Sequence, residues 1–400
     1  LRRLIAVVSL LVAGCSGPDA APVRAPPVAA RPVPRLPDVI TVRSEDYAAV
    51  ADTVRGTTAF GRLIQDLSEP GGYFPSDNLV SNETSYLHVV PALWSLGVRG
   101  GAYIGVGPDQ NFSYIAHIRP EVAFIIDIRR DNLLHQLLFK ALFENARNRL
   151  EYLSLMVGSP LPPDLGAWDD ATIDEIVLYV DTVGSSAARF EEADSVLLAA
   201  IAGYGYPLSG RDRSVIRGIH TAFFEYGLGI KYANSGGRRS LRYPTWRQLI
   251  LQMDLSDERQ SYLADESDFR FVKRLEARNG VIPVVGDLGG PKALAAVGRE
   301  IRRRGLRVSA FYVSNVEQYL IRGPGFGQYA STVAGLPYDD RSVIIRSYFT
   351  RRYALPQTVP DHISTQLLER IGAFVESEAM SDSTRYLELV TRNALPLKRP

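Results

Sequence analysis

The chain has 400 residues, 46% of them hydrophobic and 22% charged, and 45 Lys and Arg against 44 Asp and Glu leave a formal net charge of +1. That length and apolar content suffice for a large packed core, in one domain or two, and the balanced charge gives no reason to expect a nucleic-acid partner, which usually leaves a concentrated basic surface. A single cysteine, Cys15, excludes an internal disulfide and a thiolate metal cluster.

At the N-terminus, Leu1-Arg2-Arg3 is a short basic segment, residues 4–12 are apolar, and Ala13-Gly14 precede Cys15. A basic start, a short apolar run and small residues before a cut describe a secretory signal. The run is too short for a membrane-spanning helix, which needs ~20 apolar residues. The segment resembles a bacterial lipoprotein signal, which implies lipidation of Cys15 and attachment to the membrane through a lipid anchor. An ordinary signal peptide or a mis-called start is the alternative. Residues 16–37, rich in Pro and Ala, favour extended polyproline-like backbone and read as a tether or as a disordered processed terminus. Neither reading puts function there. Residues 38–400 then form the folded body.

In that body, residues 45–67 have helical spacing, with Tyr47, Val50, Val54, Phe60, Leu63, Ile64 and Leu67 apolar. Residues 68–82, SEPGGYFPSDNLVSN, are a polar turn-rich loop with two aromatics, and 83–96 read as a second helix. Ser81 with Glu83 suits a cap followed by a first-turn acid, although Ser76-Asp77-Asn78 and Ser81-Asn82-Glu83 are also placed to close over a ligand.

Residues 101–132 carry the densest signal. A small apolar strand at 101–104 is broken by Gly105-Val106-Gly107-Pro108, a short helix spans 112–118, and the apolar run 122–126 reads as a strand buried on both faces of a parallel sheet. Asp127 follows, 20 residues beyond Gly107, the spacing between a nucleotide-binding glycine loop and the carboxylate that holds ribose hydroxyls. Gln110 occupies the place of the third glycine, which weighs against pyrophosphate binding and toward a nucleoside ligand such as S-adenosylmethionine. A plain turn between two core strands fits the same residues.

Residues 132–152 are strongly helical, with Asp131 and Asn132 suited to capping, and a helical region continues to about 278, broken at 158–166, 203–210 and 234–244. This is a large helical insertion after the second strand, about 133–278. Strands resume at 281–285, ending in Gly286-Asp287-Leu288-Gly289-Gly290, and at 308–313, ending in Ser314-Asn315. A helix spans 291–303 with Pro291 in its first turn. Residues 342–348 read as a further strand and 363–376 as a closing helix. Arg302-Arg303-Arg304 is a solvated helix end.

Strand and helix alternation predicts an α/β fold, a doubly wound, mostly parallel sheet, with ligands at the carboxyl ends of its strands. The candidate cofactor-binding residues are Gly105, Gly107, Asp127, Asp287 and Asn315. Asp287 reads as an adenine-side acceptor or a turn former. Asn315 and Glu317, with Tyr312 and Tyr319, suit the wall of a reacting pocket. None of His88, His117, His135, His220 and His362 forms the i, i+4 pair of a zinc helix, so no metal is expected. There is no G-x-S-x-G elbow and no G-x-x-x-x-G-K-[ST] loop, which disfavours a hydrolase or ATPase. Lys292 reads as a surface lysine or an anion contact.

The segments FGRLIQDLSEPGGYFPSDNLVSNETSYL, GAYIGVGPDQNFSYIAHIRPEVAFIIDIRRDNLLHQLLFKALFE and VIPVVGDLGGPKALAAVGREIRRRGLRVSAFYVSNVEQYL resemble a bacterial family of uncharacterised proteins. The resemblance covers most of residues 60–348 and implies a Rossmann-type fold like that of class I methyltransferases, without implying a reaction. This chain departs from typical methyltransferases in its Gly-Val-Gly-Pro loop and its helical insertion. The expected protein is a lipid-anchored, extracytoplasmic binder of a nucleoside-type molecule, with S-adenosylmethionine as cofactor. A non-catalytic scaffold that retains the fold, and a cytosolic methyltransferase with a mis-called signal, are the alternatives. A compartment without a supply of methyl donor weighs against methyl transfer in the first case.

Overall fold

The computed structural model describes residues 58–234, 242–349, 354–378 and 385–397. The signal over 1–15 with Cys15, the tether over 16–37 and the front of the helix read over 45–67 lie outside the described residues.

The first described helix, α1 (Ala59–Leu67), is capped by Thr58, whose side chain accepts the Gly61 N–H, and it buries Phe60, Ile64 and Leu67. A 3-10 turn (Tyr86–Val89) and α2 (Val90–Ser95) lead into β1 (Ala102–Gly105). Then come α3 (Gln110–Ile118) and β2 (Val122–Asp127). Among the described residues, seven α-helices separate β2 from the next strand: α4 (Arg130–Asn145), α5 (Arg149–Val157), α6 (Ile173–Val183), α7 (Ala187–Gly203), α8 (Gly210–Tyr226), α9 (Trp246–Ile250) and α10 (Glu266–Ala277). The remainder is β3 (Val281–Val285), α11 (Ala293–Arg303), β4 (Val308–Ser314), α12 (Val316–Arg322), α13 (Phe326–Ala334), β5 (Val343–Phe349), β6 (Ser364–Arg370), α14 (Ile371–Glu378) and α15 (Tyr386–Arg392).

The six strands form one sheet in the order β3-β2-β1-β4-β5-β6. All neighbours are parallel except β5 and β6. Helices flank it: α3 packs on β1 and β4, α4 on β2 and β3, and α11 on β2. Every residue of β1 and β3 is buried, as is β2 up to Ile126, which explains their unbroken apolar runs. The chain leaves β1 toward β2 on one side, while β4 returns on the other. This reversal of strand order opens a crevice at the carboxyl ends. No helix among the described residues is long and apolar enough to cross a membrane.

The α/β architecture and the helical insertion match the sequence reading, and four local readings are corrected. Residues 83–85 are not helical, so Glu83 is not a first-turn acid. The helix read over 132–152 is two helices broken at Ala146, with Arg129 at the N-cap of α4 and Asp131 and Asn132 already inside it. Helix α11 starts after Lys292, leaving Pro291 outside. The closing helix read over 363–376 is the antiparallel edge strand β6 followed by α14. Leu367, Leu368, Ile371 and Phe374 repeat at helical spacing, but pairing with β5 overrides that local pattern.

Candidate functional site

Segments after β1, β2, β3 and β4 surround one cavity of about 630 Å³. Val106-Gly107-Pro108 and Gln110 come from the first, Asp127-Ile128-Arg129 from the second, Gly286–Gly289 from the third and Ser314-Asn315-Val316 from the fourth. The loop before the 3-10 turn covers it with Tyr73, Phe74, Asn78 and Ser81-Asn82-Glu83, and Tyr232 is the insertion's contribution. The first-strand loop and the second-strand carboxylate therefore do share a hollow, and that hollow is open. A second cavity of about 810 Å³ is lined by Thr84, His88, His362 and Ile363, next to the start of β6.

The glycine loop is held from beneath. The Asn111 side-chain amide donates to the carbonyls of Val106 (2.9 Å) and Pro108 (2.7 Å), while its oxygen accepts the Tyr103 hydroxyl (2.8 Å). Gln136 of α4 donates to the Gly107 carbonyl (3.1 Å). Gly105 does not line the cavity; a Cβ there would stand 1.9 Å from Asn111 Oδ1, so its role is packing. Gly107 does line it, with φ at +82°, a conformation suited to glycine.

Asp127 is pre-oriented by its own neighbour. Its Oδ1 accepts from the Arg129 backbone N–H (2.9 Å) and Nε (3.2 Å), and its Oδ2 from Arg129 Nη2 (3.2 Å). Arg129 also donates to the carbonyls of Ser76 (3.2 Å) and Asp77 (2.8 Å), which fastens the covering loop to the sheet end. Burial works against charge on this guanidinium, but the Asp127 carboxylate holds its pKa above the ordinary arginine value. Asp287 forms its turn, with Oδ1 accepting the Gly289 N–H (2.8 Å), and it also lines the cavity. Asn315 lines the cavity as well, whereas Glu317 does not. Glu317, in the first turn of α12, is fully buried and accepts from Arg346 Nε (2.5 Å) and the Tyr329 hydroxyl (2.8 Å). Lys292 is exposed at the start of α11 and donates to the Ser68 carbonyl.

Glu83, which the sequence offers both as a first-turn acid and as part of a segment closing over a ligand, lines the cavity. It is 1% exposed, and its carboxylate gathers four uncharged donors. Oε1 accepts from Tyr312 Oη (2.8 Å) and Ser314 Oγ (2.5 Å), and Oε2 from Gln110 Nε2 (3.0 Å) and Gln366 Nε2 (2.5 Å). Burial and then Glu83 raise the Tyr312 hydroxyl well above the usual tyrosine pKa. Gln110, absent from the reading except as a missing glycine, thus carries a polar group of the site. Gln366 was concealed in the segment taken for a helix.

Two helix starts near the cavity, those of α11 and α3, already carry protein carboxylates. Glu69 accepts from the N–H groups of Asp287 (2.9 Å), Lys292 (3.1 Å) and Ala293 (3.3 Å) where α11 begins. Asp109 stands at the N-cap of α3 and accepts from Trp246 Nε1 (2.7 Å) and Tyr262 Oη (3.3 Å); burial pushes its pKa up to about 6. A phosphate seeking a helix N-terminus would meet an acid at each. The described cavity wall holds three carboxylates, Glu83, Asp127 and Asp287, against one arginine, Arg129. At the rim, Tyr73 is 65% and Tyr319 46% exposed, and Phe74 meets Tyr319 edge-on at 5.2 Å. No group of metal-ligating side chains occurs among the described residues.

A family model described as a domain of unknown function (DUF7790) matches residues 78–159 and 237–394, together more than half of the chain. No curated protein matches it.

Proposed function

We propose that this chain, which belongs to the DUF7790 family of domains of unknown function, binds a nucleoside-type small molecule without phosphates, S-adenosylmethionine or a relative of it, at the carboxyl ends of β1 to β4. The observation that carries this reading is the charge of the cavity, three carboxylates to one arginine. Such a wall favours a cationic, hydroxyl-rich ligand and repels a pyrophosphate. S-adenosylmethionine supplies a sulfonium, an ammonium and two ribose hydroxyls. In this reading Asp127 takes the ribose hydroxyls, Asp287 faces the base, Gly107 lets the ligand approach the loop backbone, and Asn315 lies by the reacting end. Gly105 supports the loop through Asn111. The exposed rim aromatics suit a planar base. The strand order and the loop positions also support the methyltransferase-like part of the reading.

The lipid-anchored, extracytoplasmic part rests on residues 1–15 alone. Fractionation of cells expressing the full chain and its Cys15→Ala variant tests it, and equal recovery of both in the soluble fraction overturns it.

Titration calorimetry of the full chain with S-adenosylmethionine, S-adenosylhomocysteine and NAD tests the ligand. The expected order is S-adenosylmethionine first and NAD undetectable, with heat lost in Asp127→Ala. Absence of heat with both adenosyl ligands refutes the ligand, and undiminished heat in Asp127→Ala refutes the site.

A further inference from the structure

Ser314 ends β4 with φ at +53°, and α12 begins two residues later. A strand, one left-handed residue and a helix form the sharp turn that presents a nucleophilic serine at the top of a parallel sheet. Left-handed backbone is costly for a residue with a Cβ. The G-x-S-x-G pattern is absent because Tyr312 and Val316 occupy the flanking positions, yet the backbone makes the turn without those glycines. Ser314 lines the cavity, and its Oγ donates to Glu83 Oε1 at 2.5 Å. A longer contact, 3.5 Å, runs to Asn315 Oδ1. Glu83 is held by Gln110, Gln366 and Tyr312, so it cannot swing away from the serine. A hydroxyl hydrogen-bonded to a fixed basic group has the arrangement by which an adjacent general base activates a nucleophile.

We propose that Ser314 is a nucleophile with Glu83 as its general base, acting on an uncharged carboxylic ester of a hydroxyl-rich alcohol. The alcohol half of this assignment rests on the ligand reading above, with its hydroxyls toward Asp127 and Asp287; the nucleophile half stands on the turn and the Ser314–Glu83 contact. Ser314 Oγ bonds to the ester carbonyl carbon while its proton passes to Glu83 Oε1. Collapse breaks the carbon–oxygen bond to the alcohol, which leaves with that proton. Water then attacks the acyl-serine and gives its proton to Glu83. The acid departs, and the proton returns to Ser314 Oγ. Ester and water become acid and alcohol. The acidic wall excludes esters that carry phosphate or carboxylate near the reacting carbon.

The test is covalent labelling of the full chain with an uncharged alkyl fluorophosphonate, read by intact mass and peptide mapping. Oγ–P forms, P–F breaks and fluoride leaves. One adduct is expected, on Ser314, absent in Ser314→Ala and slowed about a hundredfold in Glu83→Gln. Tyr312→Phe removes one of the bonds that hold the base against the serine, and it is expected to slow labelling several-fold, an unchanged rate counting against the fixed base. Labelling elsewhere only, no labelling, or an equal rate in folded Glu83→Gln overturns the proposal. Should Glu83→Gln not fold, the Ser314→Ala and Tyr312→Phe results decide alone. Adenosyl ligands silent in calorimetry while Ser314 labels refute the ligand reading only. Heat without labelling refutes the nucleophile only.

Discussion

Glu83 and Tyr312, 229 positions apart in the chain, meet at 2.8 Å at the end of the sheet. Their contact joins the covering loop to β4, and Gln366 brings β6 to the same carboxylate. A buried carboxylate satisfied only by uncharged donors is costly to disturb, because each donor loses its partner inside the protein. Glu83→Leu is expected to lower stability by about 3–5 kcal/mol. Glu83→Gln, which keeps one acceptor oxygen, is expected to cost about 1–2 kcal/mol. Urea unfolding midpoints measure both, and a wild-type midpoint for Glu83→Leu contradicts the network.

The two loop glycines separate by mechanism. Gly105 has ordinary backbone, but a methyl group there strikes Asn111 Oδ1 and then the Tyr103 ring (2.7 Å). Gly105→Ala is expected to displace Asn111, release the Val106 and Pro108 carbonyls and cost about 2–4 kcal/mol. Gly107→Ala meets only the Asn78 amide at 3.3 Å, so its cost is the left-handed backbone, about 1–2 kcal/mol. Thermal unfolding of the two variants gives the order, and the reverse order refutes the packing role of Gly105.

Much of this was legible in the sequence, for a physical reason. Strands β1 to β3 are buried along nearly their whole length, so their apolar runs are local signals. The polar residues that end β1 to β4 stand at their carboxyl ends whatever else the chain does. What escaped depends on partners far along the chain. Glu83 lies two residues after Ser81, whose Oγ accepts the Glu83 N–H (3.1 Å), a local motif identical in sequence to a helix start. Its partners are residues 110, 312, 314 and 366, which only the closed sheet brings together. Nothing local in the sequence marks Arg129, which pairs with Asp127 and fastens the covering loop through the Asp77 carbonyl.

The strain at Ser314 can be isolated from its hydroxyl. Ser314→Ala and Ser314→Gly both remove the bond to Glu83, so that loss cancels between them. Only glycine accepts φ near +53° without a penalty. Ser314→Gly is therefore expected to be more stable than Ser314→Ala by about 1 kcal/mol, against the ordinary preference of folded chains for alanine over glycine. Guanidinium unfolding of both variants checks the sign, and alanine as the more stable of the two would remove the strained-turn argument.

Glu276 gives the fold a specific pH dependence. It lies at the end of α10, 1% exposed, and neither of its carboxyl oxygens has a hydrogen-bond partner. Lys140 stands close by, donating to the Glu276 backbone carbonyl and to Glu144 (2.8 Å). Burial pushes the Glu276 pKa up to about 8 from 4.5, with Lys140 opposing the rise and Glu144 adding to it. A folded-state value above the unfolded one means that the native state holds a proton the unfolded chain has released. The associated stability is full below pH 4.5 and is lost progressively as pH climbs toward 8. Glu276→Gln removes the titration while keeping the shape. Its stability minus that of the unaltered chain is expected to rise with pH across this window, by up to about 1.4 kcal/mol per unit. Urea unfolding at pH 5, 6, 7 and 8 measures the difference, and a flat difference would show that Glu276 does not keep its proton in the folded chain.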